Sequence, residues 1–208
     1  MNNKQAAQAF EQLLEICDQL LGPEGCAWDR KQTLTSLRES LLEESYEVIE
    51  AIDTSDDENL KEELGDLFYN LIFLGKIAEN TQRFTLKDPL EAIHRKLVDR
   101  HPHVFGDVHI TDPDEILEQW QVLKKKEKTE RKSRFDGIPK HLPALARAYE
   151  LASKGKCQAK SSFADETQLG QVLWELAKEA AASGLNPELA LRQHLMKIEE
   201  QLRSDEKK

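Results

Sequence analysis

The chain has 208 residues, enough for one domain, or one domain with a small appendage. Its hydrophobic fraction of 39% can build a core, and 33% charged residues are typical of a soluble, helix-rich protein. The net charge of −10 disfavours general binding to nucleic acid phosphates. It does not exclude one phosphate ligand held by a metal ion or by a few basic side chains.

The sequence also argues against membrane or secreted classes. No apolar run reaches the roughly 18 residues of a membrane span, and the N-terminus lacks the basic start and apolar block of a secretion signal. Three cysteines (Cys17, Cys26 and Cys157) are odd in number and have no C-x-x-C spacing. We therefore expect a cytoplasmic protein without a disulfide framework or a zinc site.

The first predicted helix covers about residues 5–21 and ends at Gly22-Pro23. The loop that follows reads GPEGCAWDRKQTLTSL, and loops rich in distinct side chains often hold ligands. Trp28 could serve a ligand there, or it could simply dock the loop onto the core.

Two acidic and apolar helices come next. The first covers about residues 36–52, and the second begins near Glu58 after a polar turn in which Asp56 or Asp57 can act as the cap. Helical periodicity predicts the inward faces of both. In the first helix these are Leu37, Leu41, Ser45, Val48, Ile49 and Ile52; in the second they are Leu60, Leu64, Leu67, Phe68, Leu71 and Leu74.

Each of these two helices carries a pair of carboxylates three residues apart beside its apolar face. They are Glu44 and Glu47 in the first helix, and Glu63 and Asp66 in the second. If the helices pack antiparallel, four carboxylates can converge, and their repulsion requires a compensating cation. Oxygen ligands select hard ions, so the pattern predicts Mg²⁺, with Mn²⁺ as an alternative. Ordinary solvated glutamates are the competing interpretation.

The second acidic helix is apolar nearly all round over residues 67–78, so we expect a second subunit to cover part of it. Gly65 and Gly75 would permit close backbone approach, at about 1 kcal/mol each in helix propensity. Asn70 lies inside the apolar run, where its amide needs a partner. That partner could be a bound substrate or a group across a subunit interface.

The rest of the chain is also helical in pattern. A helix that starts at Asp88-Pro89 puts Lys96 and Arg100 on one face, and another covers about residues 114–132. The latter ends in a basic run, KKKEKTERKSR, of the kind that is usually a solvated helix end or linker. A short helix after Pro143 and helices at 168–182 and 187–202 follow. With no strand pattern present, the predicted fold class is all-α.

A faint internal repeat relates the two halves of the chain. ETQLGQVLWEL echoes EELGDLFYNL, and NPELALRQHLMKI echoes DPLEAIHRKL. In that register Gln168 and Gln171 stand where the first copy has Glu63 and Asp66. The second half therefore keeps the apolar rhythm but has lost the carboxylates.

Several motifs resemble one known family. EESYE followed by EELGDLFYNLIF resembles the EExxE…ExxD signature of the MazG family of nucleoside triphosphate pyrophosphohydrolases. GCAWDRKQT is similar to the family's GCPWDxxQT, and KLVDRHPHVFGD is similar to its KxxRRHPHVF segment. The similarity covers about residues 13–132, and LPALARAYELASK continues it. Ala27 in place of the proline and Asp99 in place of a basic residue depart from the pattern.

The resemblance implies an all-α, bundle-like homodimer or higher oligomer that uses Mg²⁺ to hydrolyse nucleoside triphosphates to monophosphates and pyrophosphate. It implies a MazG-like catalytic domain at residues 1–132 and a shortened, degenerate second copy at 133–208. The implied metal-binding and catalytic residues are Glu44, Glu47, Glu63 and Asp66. The expected substrate-binding residues are Lys96 and Arg100 at the triphosphate, Trp28, Lys31 and Gln32 in the loop, and Asn70.

Three alternatives stay open. Enzymes specific for dUTP or phosphoribosyl-ATP share this fold, although the CAWD and RHPHVF matches favour the MazG branch. The shortened second half is compatible with a catalytically weak nucleotide-binding or regulatory protein. A purely structural helical adaptor would leave the paired carboxylates unexplained.

Overall fold

The computed structural model describes residues 3–126, 132–159 and 162–206. In these ranges the chain forms α-helices and one 3-10 turn, Asp29–Lys31, and contains no strand, which confirms the all-α prediction. No helix among these residues is long and apolar enough to cross a membrane. The helices are α1 (Asn3–Leu21), α2 (Arg38–Thr54), α3 (Asp57–Asn80), α4 (Lys87–Arg100), α5 (Pro102–Phe105), α6 (Pro113–Lys126), α7 (Ala144–Gly155), α8 (Glu166–Ala182) and α9 (Pro187–Asp205).

The chain divides into two compact units, Met1–Leu123 and Lys124–Lys208. The boundary expected after residue 132 adjoins residues 127–131, which belong to the basic run and lie outside the described part of the chain. The assignment of 1–132 and 133–208 as separate domains therefore stays a prediction.

The first unit is organised around α2 and α3, which pack antiparallel across a tight turn. Asp56 is the one of the two expected candidates that caps α3, because its side chain accepts hydrogen bonds from the backbone N–H groups of Glu58 and Asn59. The buried core lies at the other end of the pair, where α1 packs against α3. That core consists of Cys17, Leu37, Ile72, Phe73 and Ile77.

The buried face of α3 differs from the expected one. Leu60, Leu67 and Leu74 are half-buried, but Leu64, Phe68 and Leu71 are 39%, 53% and 50% exposed. On α2, Ile49 and Ile52 are likewise 51% and 57% exposed. The prediction placed Leu64, Phe68 and Leu71 on the core face of α3, whereas the residues that pack against α1 come from the C-terminal half of the helix. Leu64, Phe68 and Leu71 therefore form an uncovered row, which we call the α3 stripe.

The second unit is built on α7 and α9, whose core residues are Phe135, Ile138, Ala144, Leu151 and Leu195. Carboxylates at both ends of α9 bind the preceding segment. Glu188 accepts from the backbone N–H of Ala144, and Glu206 accepts from the backbone N–H of Arg134. Helix α8 buries no residue, although it begins with an Asp165 cap. The apolar core between α7 and α9 and the polar contacts along α9 therefore hold this unit together.

Candidate functional site

The packed surfaces of α2 and α3 meet along a seam that includes polar residues. On α2 the seam positions are spaced alternately three and four residues apart, as in a coiled coil, and include Ser40, Glu44 and Glu47. Because the two helices are antiparallel, residues with higher numbers on α2 lie opposite residues with lower numbers on α3. Ser40 thereby meets Asn70, Glu44 lies close to Asp66, and Glu47 contacts Glu63.

The structure brings the predicted carboxylates together. Glu44, Glu63 and Asp66 each offer one carboxylate oxygen, and these atoms lie within 4.8 Å of one another. Glu47 joins the group, because its side chain lies close enough to that of Glu63 to share a hydrogen bond when one of the two carboxyl groups is protonated. Glu44, Glu47 and Glu63 are half-buried, and Asp66 is exposed. Two helices that are separate in sequence thus present their acidic residues to one point.

Burial and mutual repulsion set the electrostatics of this cluster. The pKa of Glu44 is raised above its usual value by partial burial, then by the charges of Asp66, Glu47 and Glu63. The pKa of Glu63 is raised by burial, by the charges of Glu47, Glu62 and Asp66, and by its hydrogen bond with Glu47. The fold therefore holds more negative charge here than its own groups compensate.

The donor set fits a hard divalent cation. Every ligand atom is a carboxylate oxygen, the type that Mg²⁺ and Mn²⁺ prefer. In the described ranges no ion pair links these four carboxylates to a lysine, arginine or histidine, so a bound cation would relieve their mutual repulsion. Neighbouring Glu43, Glu50 and Glu62 are exposed, as the helical periodicity predicts.

The loop residues expected near a substrate differ in exposure: Trp28 and Lys31 are exposed to solvent, whereas Gln32 is half-buried and hydrogen-bonded within the loop. Trp28 is 66% exposed and precedes the 3-10 turn, and Lys31 is exposed within it. Gln32 is engaged at both ends of its amide, because Nε2 donates to the Trp28 carbonyl and Oε1 accepts from the Ser36 hydroxyl. Gln32 also lines a cavity of about 290 Å³ that reaches Ile77 near the far end of α3.

Asn70 is 3% exposed, and its Oδ1 accepts a hydrogen bond of 3.1 Å from Ser40 Oγ. Its amide thus has a partner within the chain, on α2. Sequence reasoning missed Ser40, because it drew the inward face of α2 through Leu41 and Ser45, a set that leaves Ser40 out. The three-and-four spacing from Leu37 through Ser40 to Glu44 was the signal that could have found it.

The basic residues lie on α4. Lys96 is exposed, whereas Arg100 is 8% exposed and places its guanidinium 5.4 Å from the centre of the Trp120 ring. This stacking orders Arg100 one helical turn from Lys96. The roles of Lys96, Arg100 and the loop residues in substrate binding stay predictions.

The second unit does not reproduce the acidic cluster. Gln168, at the position of Glu63 in the repeat, lies in the first turn of α8, where its Oε1 accepts from the backbone N–H of Ala164. In return, Asp165 accepts from the backbone N–H of Gln168, an arrangement similar to a capping box. Among the described residues, the only group of three potential metal ligands is the one on α2 and α3.

Comparisons with known proteins agree with these motifs. The family model of the MazG nucleotide pyrophosphohydrolase domain matches residues 32–105, a range that includes all four cluster carboxylates. The chain is 37% identical to the nucleoside triphosphate pyrophosphohydrolase/pyrophosphatase MazG of Thermotoga maritima, over 98% of this chain and 88% of that protein. It is 39% identical to the nucleoside triphosphate pyrophosphohydrolase of Escherichia coli K12, over 82% of this chain and 64% of that protein.

Two further matches cover a smaller part of this chain. The chain is 43% identical to protein YabN of Bacillus subtilis over 68% of its own length, and it spans only 29% of YabN. A solved structure, of a mazG-related protein from Thermotoga maritima, aligns with 32% identity over 55% of this chain and 98% of that one, with a TM-score of 0.49.

Proposed function

Because the chain belongs to the MazG family, we propose that it hydrolyses nucleoside triphosphates to nucleoside monophosphate and pyrophosphate. The observation that carries this proposal is the convergence of Glu44, Glu63 and Asp66, with Glu47 beside them. Relatives that match most of this chain are named for the same reaction.

We assign Glu44, Glu47, Glu63 and Asp66 as the residues that would hold Mg²⁺, with Mn²⁺ as a substitute. A bound divalent ion supplies Lewis-acid chemistry: it lowers the pKa of a water molecule and neutralises charge on phosphate oxygens. The excess negative charge of the metal-free cluster supports this assignment.

The remaining roles fall to the chain's own side chains. A cluster carboxylate that is not bound to metal would accept the proton of the attacking water. Lys96 and Arg100 would stabilise the negative charge on the leaving pyrophosphate. Trp28, Lys31 and Gln32 would lie near the nucleotide, and Asn70 would act at the edge of the cluster.

We further propose a homodimer or higher oligomer in which a second chain covers the α3 stripe. Its three residues are about half exposed in the single chain, and a row of this kind on one helix is typical of an interface. A reducing, cytoplasmic location fits the three free cysteines and a nucleotide substrate.

The proposal is tested with a panel of NTPs and dNTPs in the presence of Mg²⁺, with pyrophosphate and phosphate measured separately. We expect pyrophosphate release, and we expect Glu47→Gln and Asp66→Asn to lower kcat by more than about tenfold. The exposed Glu50→Gln is the matched control and should retain activity. Full release by the Asp66→Asn protein would contradict the assignment.

The same panel separates the alternatives. Turnover confined to dUTP, or absent unless phosphoribosyl-ATP is supplied, would identify a more specific enzyme of this fold. Nucleotide binding without turnover would identify a regulatory protein. A helical adaptor would show neither binding nor metal-dependent thermal stabilisation.

A further inference from the structure

The seam between α2 and α3 has one uncharged polar layer next to the carboxylates. Ser40 lies one turn before Glu44 on α2, and Asn70 lies one turn after Asp66 on α3. The 3.1 Å hydrogen bond from Ser40 Oγ to Asn70 Oδ1 joins the helices directly beside the cluster. On its other side the seam continues into the apolar core, which includes Leu37 and Phe73.

The residues on the two sides of this hydrogen bond have opposite effects on the contact between the helices: the apolar core holds α2 and α3 together, and the carboxylates repel one another. The acidic layers push α2 and α3 apart, since Glu44 faces Asp66 and Glu47 faces Glu63. Within the described part of the chain, Ser40–Asn70 is the one side-chain hydrogen bond between α2 and α3 that does not pair two carboxyl groups. It is therefore the polar contact that opposes separation of the helices where the carboxylates converge.

Burial makes this hydrogen bond specific. Asn70 is 3% exposed, so water does not replace a missing donor readily, and a buried amide oxygen without a donor is disfavoured. Sliding or rotating α3 against α2 would break the bond and leave the Asn70 amide unsatisfied. The pair thus selects one register between the helices, as single buried polar residues do in coiled coils.

We propose that Ser40 and Asn70 are positioning residues whose hydrogen bond holds α2 against α3 at the carboxylate cluster. This inference rests on the proposed metal site and adds the residues that set its geometry. Ser40 touches neither the metal nor the substrate in this role. It acts through Asn70 on the distance between the two acidic helices.

The chain offers a matched control for Ser40. Ser45 lies on the same helix and is also half-buried, but its hydroxyl donates only to the Leu41 carbonyl of its own helix, at 2.6 Å. Removing either hydroxyl deletes the same atom from α2. Only the loss at Ser40 removes a contact with α3.

The experiment compares the full chain with its Ser40→Ala, Ser40→Thr and Ser45→Ala variants, each shown to be folded by circular dichroism. Mn²⁺ affinity is measured by calorimetry without nucleotide, and kcat and KM are measured at saturating metal. We expect Ser40→Ala to weaken Mn²⁺ binding about tenfold and to lower kcat with little change in KM. Ser40→Thr keeps the hydroxyl and should restore both, and Ser45→Ala should match the unaltered protein.

Hydrogen exchange of the metal-free proteins gives a second reading. Ser40→Ala should accelerate exchange in the facing turns of α2 and α3, whereas Ser45→Ala should not. If Ser40→Ala binds Mn²⁺ as tightly as the unaltered chain, or if Ser45→Ala loses as much affinity, the positioning role is refuted while the metal site stands. If the unaltered chain binds no Mn²⁺, the metal site itself is refuted, and this role with it.

Discussion

Glu63 shows how a single side chain can oppose the stability of the fold that it serves. Its carboxyl is half-buried beside Glu47 and Asp66, and its pKa is raised above the reference value of 4.5. The folded state therefore disfavours the ionised form. In the metal-free protein, the free energy of unfolding should fall as the pH rises from 4.5 through the raised pKa, and this loss persists at neutral pH.

Glu63→Gln removes the charge and keeps the shape. We expect the metal-free variant to melt at a higher temperature than the unaltered protein at pH 7, because one source of repulsion is gone. Added Mg²⁺ or Mn²⁺ should raise the melting temperature of the unaltered protein and leave that of the variant nearly unchanged.

Thermal scans with and without metal measure both effects. Glu62→Gln is the control, since this exposed neighbour does not belong to the cluster, and it should keep the metal-dependent shift. A Glu63→Gln protein that gains as much stability from metal as the unaltered chain would remove Glu63 from the ligand set.

At the level of the helices, the two glycines of α3 have different surroundings. A Cβ atom on Gly75 would lie 2.5 Å from Leu86 Cγ, so the glycine allows the segment before α4 to pack closely on α3. A Cβ atom on Gly65 would meet nothing within 4 Å in the single chain. The expected close approach is thus found within the chain at Gly75, and at Gly65 it still depends on a second chain.

Alanine at these positions should have opposite effects. Gly65→Ala gains about 1 kcal/mol in helix propensity and should stabilise the protein. Gly75→Ala gains the same but overpacks against Leu86, at about 1–3 kcal/mol, so we expect net destabilisation. Urea denaturation measures both. A destabilised Gly65→Ala protein, with weakened self-association in sedimentation, would instead indicate that another helix crosses α3 at this point.

The sequence was sufficient to predict the long helices, an aspartate cap for α3 and the acidic residues that converge, but not the short helix α5. It was not sufficient to predict which faces are buried. The leucine rows of α3 pointed to one core, yet Ile72, Phe73 and Ile77 fill it, and Leu64, Phe68 and Leu71 stay exposed. Hydrophobic periodicity identifies residues that avoid water, but it does not say whether their cover comes from the same chain. Ser40 was missed for a related reason, because the predicted inward face of α2 did not include it, and its hydrogen bond with Asn70 is a contact between helices that periodicity does not show.

At the scale of the whole molecule, the two units should respond oppositely to acid. In the second unit, hydrogen bonds hold the pKa of Glu188 and Glu206 below 4.5, and the Arg203 side chain, first among several groups, holds the pKa of Asp136 below 3.8. These carboxylates stabilise the folded state at pH values above the pKa that each has in the unfolded chain. Their contribution is lost as the pH falls below about 4.5 and through the lowered values.

We therefore expect acidification from pH 7 to about 3 to lower the hydrogen-exchange protection of α7 and α9. Over the same range the metal-free α2–α3 pair should keep or gain protection. Hydrogen exchange measured by mass spectrometry, corrected for the pH dependence of the intrinsic exchange rate, reports separately on the α7 and α9 peptides and on the α2 and α3 peptides. Asp136→Asn should start with less protection in α9 at pH 7 and lose less on acidification. A uniform loss over both units would contradict this division.

The cap formed by Gln168 has a consequence for any attempt to build the acidic motif into the second unit. In the first repeat the matching position is occupied by Glu63, well inside α3 and facing α2. In the second, α8 begins only two residues before Gln168, and the helix packed against it within its unit is α9. Gln168→Glu together with Gln171→Asp would therefore give the residues of the motif without an opposing acidic helix. A second acidic cluster would need a change in the packing of this unit as well as these two substitutions.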